Sequence, residues 1–382
     1  MARLMPIEPA PAPRAPGLPL LALGFRPFYL LAGAYAALAV PLWALQFAGW
    51  LPRADLYWHA HEMLFGYAFA VIAGFLLTAV RAWTGRPTPS GGALAALAGL
   101  WLAARVLGAW SLPAAALLDL AFAAGVAWGI GRPILAARNR NGYFIVFVLA
   151  LGGASLAFLA YPRTALAAGL DVVLLVVANM GGRVIPGFTN NAIPGAGARR
   201  EPLLEKAALG AVVLLLALDL LDLPAAAAAA AGLGALLHAA RLALWAPLAT
   251  RRSPILWILH LSYAWVVAHL ALRALAGIDL VSPALATHAL TVGAIGGLTL
   301  GMMTRTARGH TARPLRAGRA EIAAYSLVQA AAAVRVLAPL LVPESYRLLI
   351  VLSGVLWSAA FAVFTVAYFP ILTRPRLDGQ PG

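Results

Sequence analysis

Trp58-His59-Ala60-His61-Glu62-Met63 opens a stretch that runs on through Leu64-Phe65-Gly66 to Val80 without another charged residue. Two imidazoles and a carboxylate therefore stand at the mouth of a segment of about 20 residues, the length of one bilayer crossing. Ionisable groups in that position are costly and mark functional sites by default. A second segment opens the same way, His288-Ala289-Leu290-Thr291-Val292-Gly293, and meets no charge before Arg305. These two stretches set the fold class: all-α, with helices that cross a membrane.

Composition extends that reading to the whole chain. Of 382 residues, 63% are hydrophobic and 11% charged, and the mean hydropathy is +0.86. Soluble domains carry roughly 25% charged residues. The net charge of +15 does not indicate nucleic acid, because the basic residues sit in short gaps between apolar segments. With no cysteine, disulfides, thiolate metal sites and cysteine nucleophiles are excluded. Histidine, carboxylate and methionine remain as possible metal ligands.

Twelve candidate spans follow: 28–47, 61–80, 92–110, 112–130, 143–160, 165–182, 203–221, 225–245, 255–275, 283–304, 320–341 and 348–369. Pro, Gly and Arg punctuate nearly every gap. The organisation expected is a Pro-rich arm over 1–24, a twelve-helix membrane domain over 25–372 and a short tail over 373–382. The arm has no apolar signal core, so no cleaved targeting peptide is expected. Arg53, Arg163, Arg273 and Arg347 fall on one side of the spans and Arg105 and Arg335 inside them. The other Lys and Arg residues gather on the opposite side with both termini. The positive-inside rule makes that side cytoplasmic. His59, His61, Glu62, His288, Arg105, Asp119, Asp171 and Arg335 then all fall in the outer half, as a polar chamber open to the outside requires. His269 shares that half, whereas His260 lies towards the cytoplasm.

Spans 2 and 10 also align without a gap at an offset of 227. His61 falls on His288, Gly66 on Gly293, Gly74 on Gly301, Arg81 on Arg308, Thr84 on Thr311, Arg86 on Arg313 and Pro87 on Pro314. Ala70 matches Gly297, giving each helix small residues four apart that permit close helix packing. On a regular helix His61 lies about 140° from Gly66, while His59 lies on the glycine face and has only Ala286 opposite it. Two helices presenting one histidine each at equal depth suit bis-imidazole ligation of a haem, so His61 and His288 are the expected pair. Arg105 and Arg335 are candidate partners for haem propionates, or else for Asp119 and Asp171 in ion pairs. Glu62 can orient an imidazole as a hydrogen-bond acceptor. Met63, Met302 and Met303 read as lining. For His238 and His260 a hydrogen bond to a neighbouring carbonyl is the preferred role.

With these residues in hand, the chain closely resembles the NnrS family of bacterial membrane proteins. The resemblance is carried by Phe25-Arg26-Pro27-Phe28, Trp58 to Gly66, Gly74 to Val80, Gly182-Arg183-Val184-Ile185-Pro186, Leu256 to Leu261, His288 to Gly296 and Gly309-His310-Thr311-Ala312-Arg313-Pro314-Leu315. One departure is Arg81-Ala82 before Trp83-Thr84-Gly85, where the family pattern places an asparagine beside the tryptophan. The resemblance implies a haem- and copper-containing protein of the bacterial inner membrane, multi-pass, acting in denitrification and the nitric oxide stress response. It implies no particular reaction. It also raises the standing of His260 and His310 as metal ligands.

A looser likeness joins the chain to the catalytic subunit of haem–copper oxidases. That fold has twelve helices in three groups of four, with low-spin haem ligands on helices two and ten, the places of His61 and His288. A faint third copy lies in span 6, where Arg183, Phe188 and Thr189 repeat the spacing of Arg305, His310 and Thr311. The oxidases' copper ligands lie on helices six and seven, and neither span here has a histidine. A binuclear centre of that kind is therefore not expected, and His59, His269 or His310 are the candidates for copper. The leading expectation is a haem protein that binds, senses or detoxifies nitric oxide, served by an electron donor if its iron cycles. A twelve-helix transporter and a factor delivering haem or metal to a reductase are the alternatives. Major-facilitator halves would pair span 2 with span 8, whereas the repeat here favours four-helix units.

Overall fold

The computed structural model describes residues 17–51 and 55–380. Most of the expected N-terminal arm, and Arg53, lie outside the described residues. Those described form an all-α bundle without a strand. Its twelve helices are α1 (Phe25–Phe47), α2 (Leu56–Thr84), α3 (Gly91–Gly108), α4 (Leu112–Ala136), α5 (Tyr143–Ala157), α6 (Pro162–Ala192), α7 (Pro202–Leu220), α8 (Pro224–Leu244), α9 (Pro254–Ala276), α10 (Pro283–His310), α11 (Arg319–Leu341) and α12 (Pro343–Thr373). Ten are long and apolar enough to cross a membrane. Of the other two, α5 has 15 residues and α7 carries Glu205, Lys206 and Asp219. This is a polytopic membrane protein.

Local chemistry explains the ends. Proline stands in the first turn of α4, α6, α7, α8, α9 and α10, where its missing N–H costs nothing and its fixed φ suits a helix. Asp55 caps α2, its carboxylate accepting from the backbone N–H of Tyr57 at 2.8 Å and Trp58 at 3.2 Å. That cap moves the start of α2 upstream of His61, so the histidines lie inside the helix. Ser282 caps α10 in the same way. At its far end, α6 runs on past Gly182, where hydropathy drops, through Pro186 to Ala192. Polarity reports the solvent around a helix, and the helix itself does not end where the lipid does.

Between α2 and α10 the internal likeness becomes structural. Each winds into a π-helical segment just after its aligned histidine, Glu62–Ala68 in α2 and Ala289–Gly296 in α10. Both segments bond i→i+5, a wide turn often found at functional sites. The close approaches are also parallel. A Cβ on Gly66 would meet the Arg105 guanidinium at 2.6 Å, and one on its aligned partner Gly293 would run into the Trp265 ring. The remaining packing is between chain neighbours, α3 on α4, α4 on α5, α8 on α9, α11 on α12, with α1 closing against α12 and α2. Trp357 ties α12 to α1, its Nε1–H donating to the Ala36 carbonyl at 3.1 Å.

The outer surface is apolar. Leu38, Val146, Leu236 and Val366 point away from the bundle, each more than half exposed, as a lipid-facing surface requires. After α12, the tail turns back on α10, with Arg376 donating to the His310 carbonyl at 3.1 Å and pairing with Asp378 at 2.6 Å.

Candidate functional site

At one end of the bundle a cavity of about 280 Å³ lies between α2 and α10, closed by α1, α6, α11 and α12. His59 and His288 both line it, together with Trp43, Tyr67, Arg335 and Trp357. The His59 ring stacks on Trp43, with centroids 4.1 Å apart and planes 20° from parallel. Its Nδ1 is buried and has no hydrogen-bond partner. His288 is held differently. Its Nδ1 lies 2.7 Å from the Ala284 carbonyl, which can only accept, so Nδ1 carries the proton and Nε2 offers a lone pair. Arg335 reaches that Nε2 at 3.3 Å and the Tyr346 hydroxyl at 3.3 Å. The guanidinium is buried, and no carboxylate among the described residues pairs with it.

His61, the expected partner of His288, is turned away from this cavity. It is fully buried between α2, α4 and α5. Its Nδ1 meets Glu62 Oε1 at 3.1 Å, and its Nε2 meets Ser155 Oγ at 2.9 Å. Ser155 donates its own proton to Asp119 Oδ2 at 3.1 Å, so the hydroxyl receives from His61. Arg105 joins the two acids, donating from Nη1 to Glu62 Oε2 at 2.6 Å and from Nη2 to Asp119 Oδ1. Tyr35 donates to the same Glu62 oxygen. Every group in this network except the half-buried Tyr35 is buried, and each charge has an opposite charge against it, the arrangement that offsets the cost of desolvation. Arg105 is thereby committed to Glu62 and Asp119, not to the cavity, and both nitrogens of His61 are engaged within protein.

Two causes account for the departure from the expected pairing. The helical wheel that put Gly66 about 140° from His61 assumes 3.6 residues per turn, and the π segments begin directly after both imidazoles. The second cause lies outside the helix: the acids of α2 and α4 and the serine of α5 capture His61, while no such groups face His288.

The other candidates are dispersed. In His269 the Nδ1 donates to the Ala286 carbonyl at 2.8 Å and Nε2 is buried without a partner. Thr189 Oγ1, whose proton goes to the Ile185 carbonyl, lies 2.9 Å from His260 Nε2. His310 packs its ring against Phe25 at 5.6 Å. Asp171 pairs with Arg273 at 3.3 Å, which also holds Asp219. His238 sits between the Tyr263 hydroxyl at 2.7 Å and the Ala208 carbonyl at 3.2 Å. Among the described residues no group of three or more His, Cys, Asp or Glu side chains is arranged to hold a metal ion. Sequence reading did not single out Trp43, Tyr35, Ser155 or Tyr346. None sits at a spacing that ties it to a histidine.

Twelve helices, an apolar outer surface and a cavity walled by two imidazoles and a buried cation define a multi-pass membrane protein with a polar-lined cavity towards one end of the bundle. The chain belongs to the NnrS family, whose model, described as NnrS protein, matches residues 19–376. No curated protein matches it.

Proposed function

We infer that this NnrS-family protein binds haem in the cavity between α2 and α10, held by His59 and His288, and serves the response to nitric oxide. The observation that carries the reading is the unpartnered, buried Nδ1 of His59 in the wall of the cavity that His288 also lines. Buried polar atoms in proteins are almost always paired, and an orphan calls for a missing partner. Haem, when bound, supplies an iron that takes up a small ligand or an electron. The protein supplies the rest. The Ala284 carbonyl fixes the His288 tautomer with its lone pair on Nε2, the state a metal ligand needs. Trp43 holds the plane of His59. Arg335, which pairs with no carboxylate among the described residues, is suited to an anionic substituent such as a propionate.

The surroundings support a small uncharged ligand over a charged solute. Ala68 and Ile295 line both this cavity and a deeper one of about 90 Å³, whose walls are mostly Val, Ile, Leu, Met and Phe. A charged solute would find no opposite charge there, only the hydroxyls of Tyr29 and Thr299, which weighs against a transporter of ions. In this reading both termini are cytoplasmic, the cavity faces the outside of a bacterial inner membrane, and the helices form three four-helix units led by α2, α6 and α10.

Soret absorbance of the purified, haem-supplied protein tests the assignment. The wild type is expected to show the band, His59→Ala and His288→Ala to lose it, and His61→Ala to keep it while melting earlier. A folded but colourless His61→Ala protein alongside a coloured His59→Ala protein would return the site to His61. A colourless wild type would end the haem reading.

A further inference from the structure

At the end of the bundle remote from the histidine cavity, a recess of about 470 Å³ opens between the α4–α5 turn, the last third of α6 and the start of α7. Its walls carry Arg140, Arg183, Arg200 and Lys206 against one carboxylate, Glu205. That carboxylate is already satisfied from behind. Arg241, fully buried, donates to it at 2.7 Å and 3.1 Å, and Arg200 approaches to 3.7 Å. No carboxylate among the described residues lies within ion-pair distance of Arg140, Arg183 or Lys206. The recess therefore presents a surplus of positive charge.

Arg183 is positioned as well as charged. Its Nη1 donates to Asn141 Oδ1 at 2.8 Å and to the Tyr143 hydroxyl at 3.1 Å, and its carbon centre lies 5.5 Å from the Trp83 ring. These contacts hold the base of the guanidinium and aim it into the recess. Its depth follows from the helix. Arg183 is 21 residues beyond Pro162, the first residue of α6, and at 1.5 Å per residue that is about 32 Å along the axis. A bilayer's hydrocarbon core is about 30 Å thick. If α6 enters the lipid at Pro162, Arg183 emerges at the level of the opposite head groups. The Arg140 turn and the first turns of α7 share that level, and Pro202 and Leu209 give the recess an apolar side towards the lipid.

We propose that this recess is a phosphate-binding site at the level of the cytoplasmic head groups. Phosphate is the anion that every phospholipid presents at that depth, and basic pockets between membrane helices are fitted to it. Guanidinium groups match phosphate oxygens in geometry as well as charge. The site stands apart from the haem assignment and shares no residue with it.

The test uses full-length protein in nanodiscs and reads two sources of phosphate separately. Arg140→Ala/Lys206→Ala removes two exposed cations without touching the Arg183 or Arg241 contacts, and Arg183→Gln is the second variant. In the lipid arm, native mass spectrometry counts bound phosphatidylglycerol or cardiolipin in competition with phosphatidylcholine. At roughly fivefold per basic residue near the surface, the double variant should retain about 30-fold less anionic lipid. In the soluble arm, inorganic phosphate is titrated against protein in phosphatidylcholine alone, and the melting temperature is followed. Anionic lipid held by the wild type and lost in the variants assigns the site to lipid. A rise in melting temperature with inorganic phosphate, absent in the variants, assigns it to a soluble phosphate. Equal behaviour of wild type and both variants in both arms overturns the proposal.

Discussion

Arg105→Ala is the most informative single change in the polar interior. The guanidinium is the shared cation of Glu62 and Asp119, with Nη1 2.6 Å from Glu62 Oε2 and Nη2 against Asp119 Oδ1. Both carboxylates are fully buried. Without Arg105 they keep only His61, Ser155 and Tyr35, and two negative charges share a site that water does not reach. Removing one partner of a buried ion pair costs about 3–5 kcal/mol, because the charge left behind stays desolvated. At about 1.36 kcal/mol per tenfold, that is roughly 2.2–3.7 powers of ten in the unfolding equilibrium. At about 2.1 cal/mol/K of unfolding entropy per residue, a chain of this length should lose about 4–6 °C in melting temperature. Thermal melting in detergent, followed by tryptophan fluorescence or by loss of the monodisperse peak on size exclusion, reads the shift. The reasoning predicts a rescue. Adding Glu62→Gln and Asp119→Asn to the Arg105→Ala protein should recover more than half of the loss, since stranded charge is the main cost. A shift within about 1 °C of wild type, or a triple variant that melts lower still, would refute it.

Three more outcomes follow from contacts described above. Gly182→Ala places a methyl group where the Arg241 guanidinium and the Glu205 carboxylate now lie against the α6 backbone. It should cost about 1–3 kcal/mol in thermal or denaturant unfolding, with Gly187→Ala, which faces open space, as the neutral control. His238→Ala removes the imidazole from the Ala208 carbonyl and from the Tyr263 hydroxyl, which keeps only Arg241. A cost of about 1–3 kcal/mol is expected, with no change in haem content by pyridine haemochrome assay. Trp43→Leu removes the ring stacked on His59. It should broaden or shift the Soret band while leaving most of the haem bound, in contrast to His59→Ala.

Much of the fold could be read along the chain because its signals are local. Proline after a short polar gap starts α6, α7, α8 and α9 close to where the sequence places them, and the offset of 227 reappears as two π segments in register. The site was harder, for two physical reasons. Assigning faces around His61 relied on a 3.6-residue turn in the very place where the helix widens. Which of His59 and His61 lines the cavity depends on groups far away in sequence, Arg105, Asp119 and Ser155 on one side and Trp43 on the other. A serine 94 residues downstream gives no periodic signal that it will meet an imidazole. Arg335 was legible as a buried cation, but only three-dimensional structure shows that Asp119 and Asp171 are both held by other arginines. The basic recess was hidden because its cations come from two gaps and two helices, Arg140 from the α4–α5 turn, Arg183 from α6, Arg200 from the α6–α7 gap and Lys206 from α7, and only the packing of the helices collects them.

The matched wide turns of α2 and α10 bear on how this chain tolerates insertion and deletion. Each π segment winds an added residue into the helix, so the imidazole end is indexed about 100° round from where an unbroken α-helix would leave it. Deleting one residue inside Glu62–Ala68 would leave the hydropathy and length of α2 almost unchanged, and any profile of membrane crossings would look the same. The first turns of α2 would nevertheless rotate against the rest, carrying His59 off Trp43 and His61 off Ser155 in one step. In such a helix, residue count within a single turn is under tighter constraint than residue identity over most of its length.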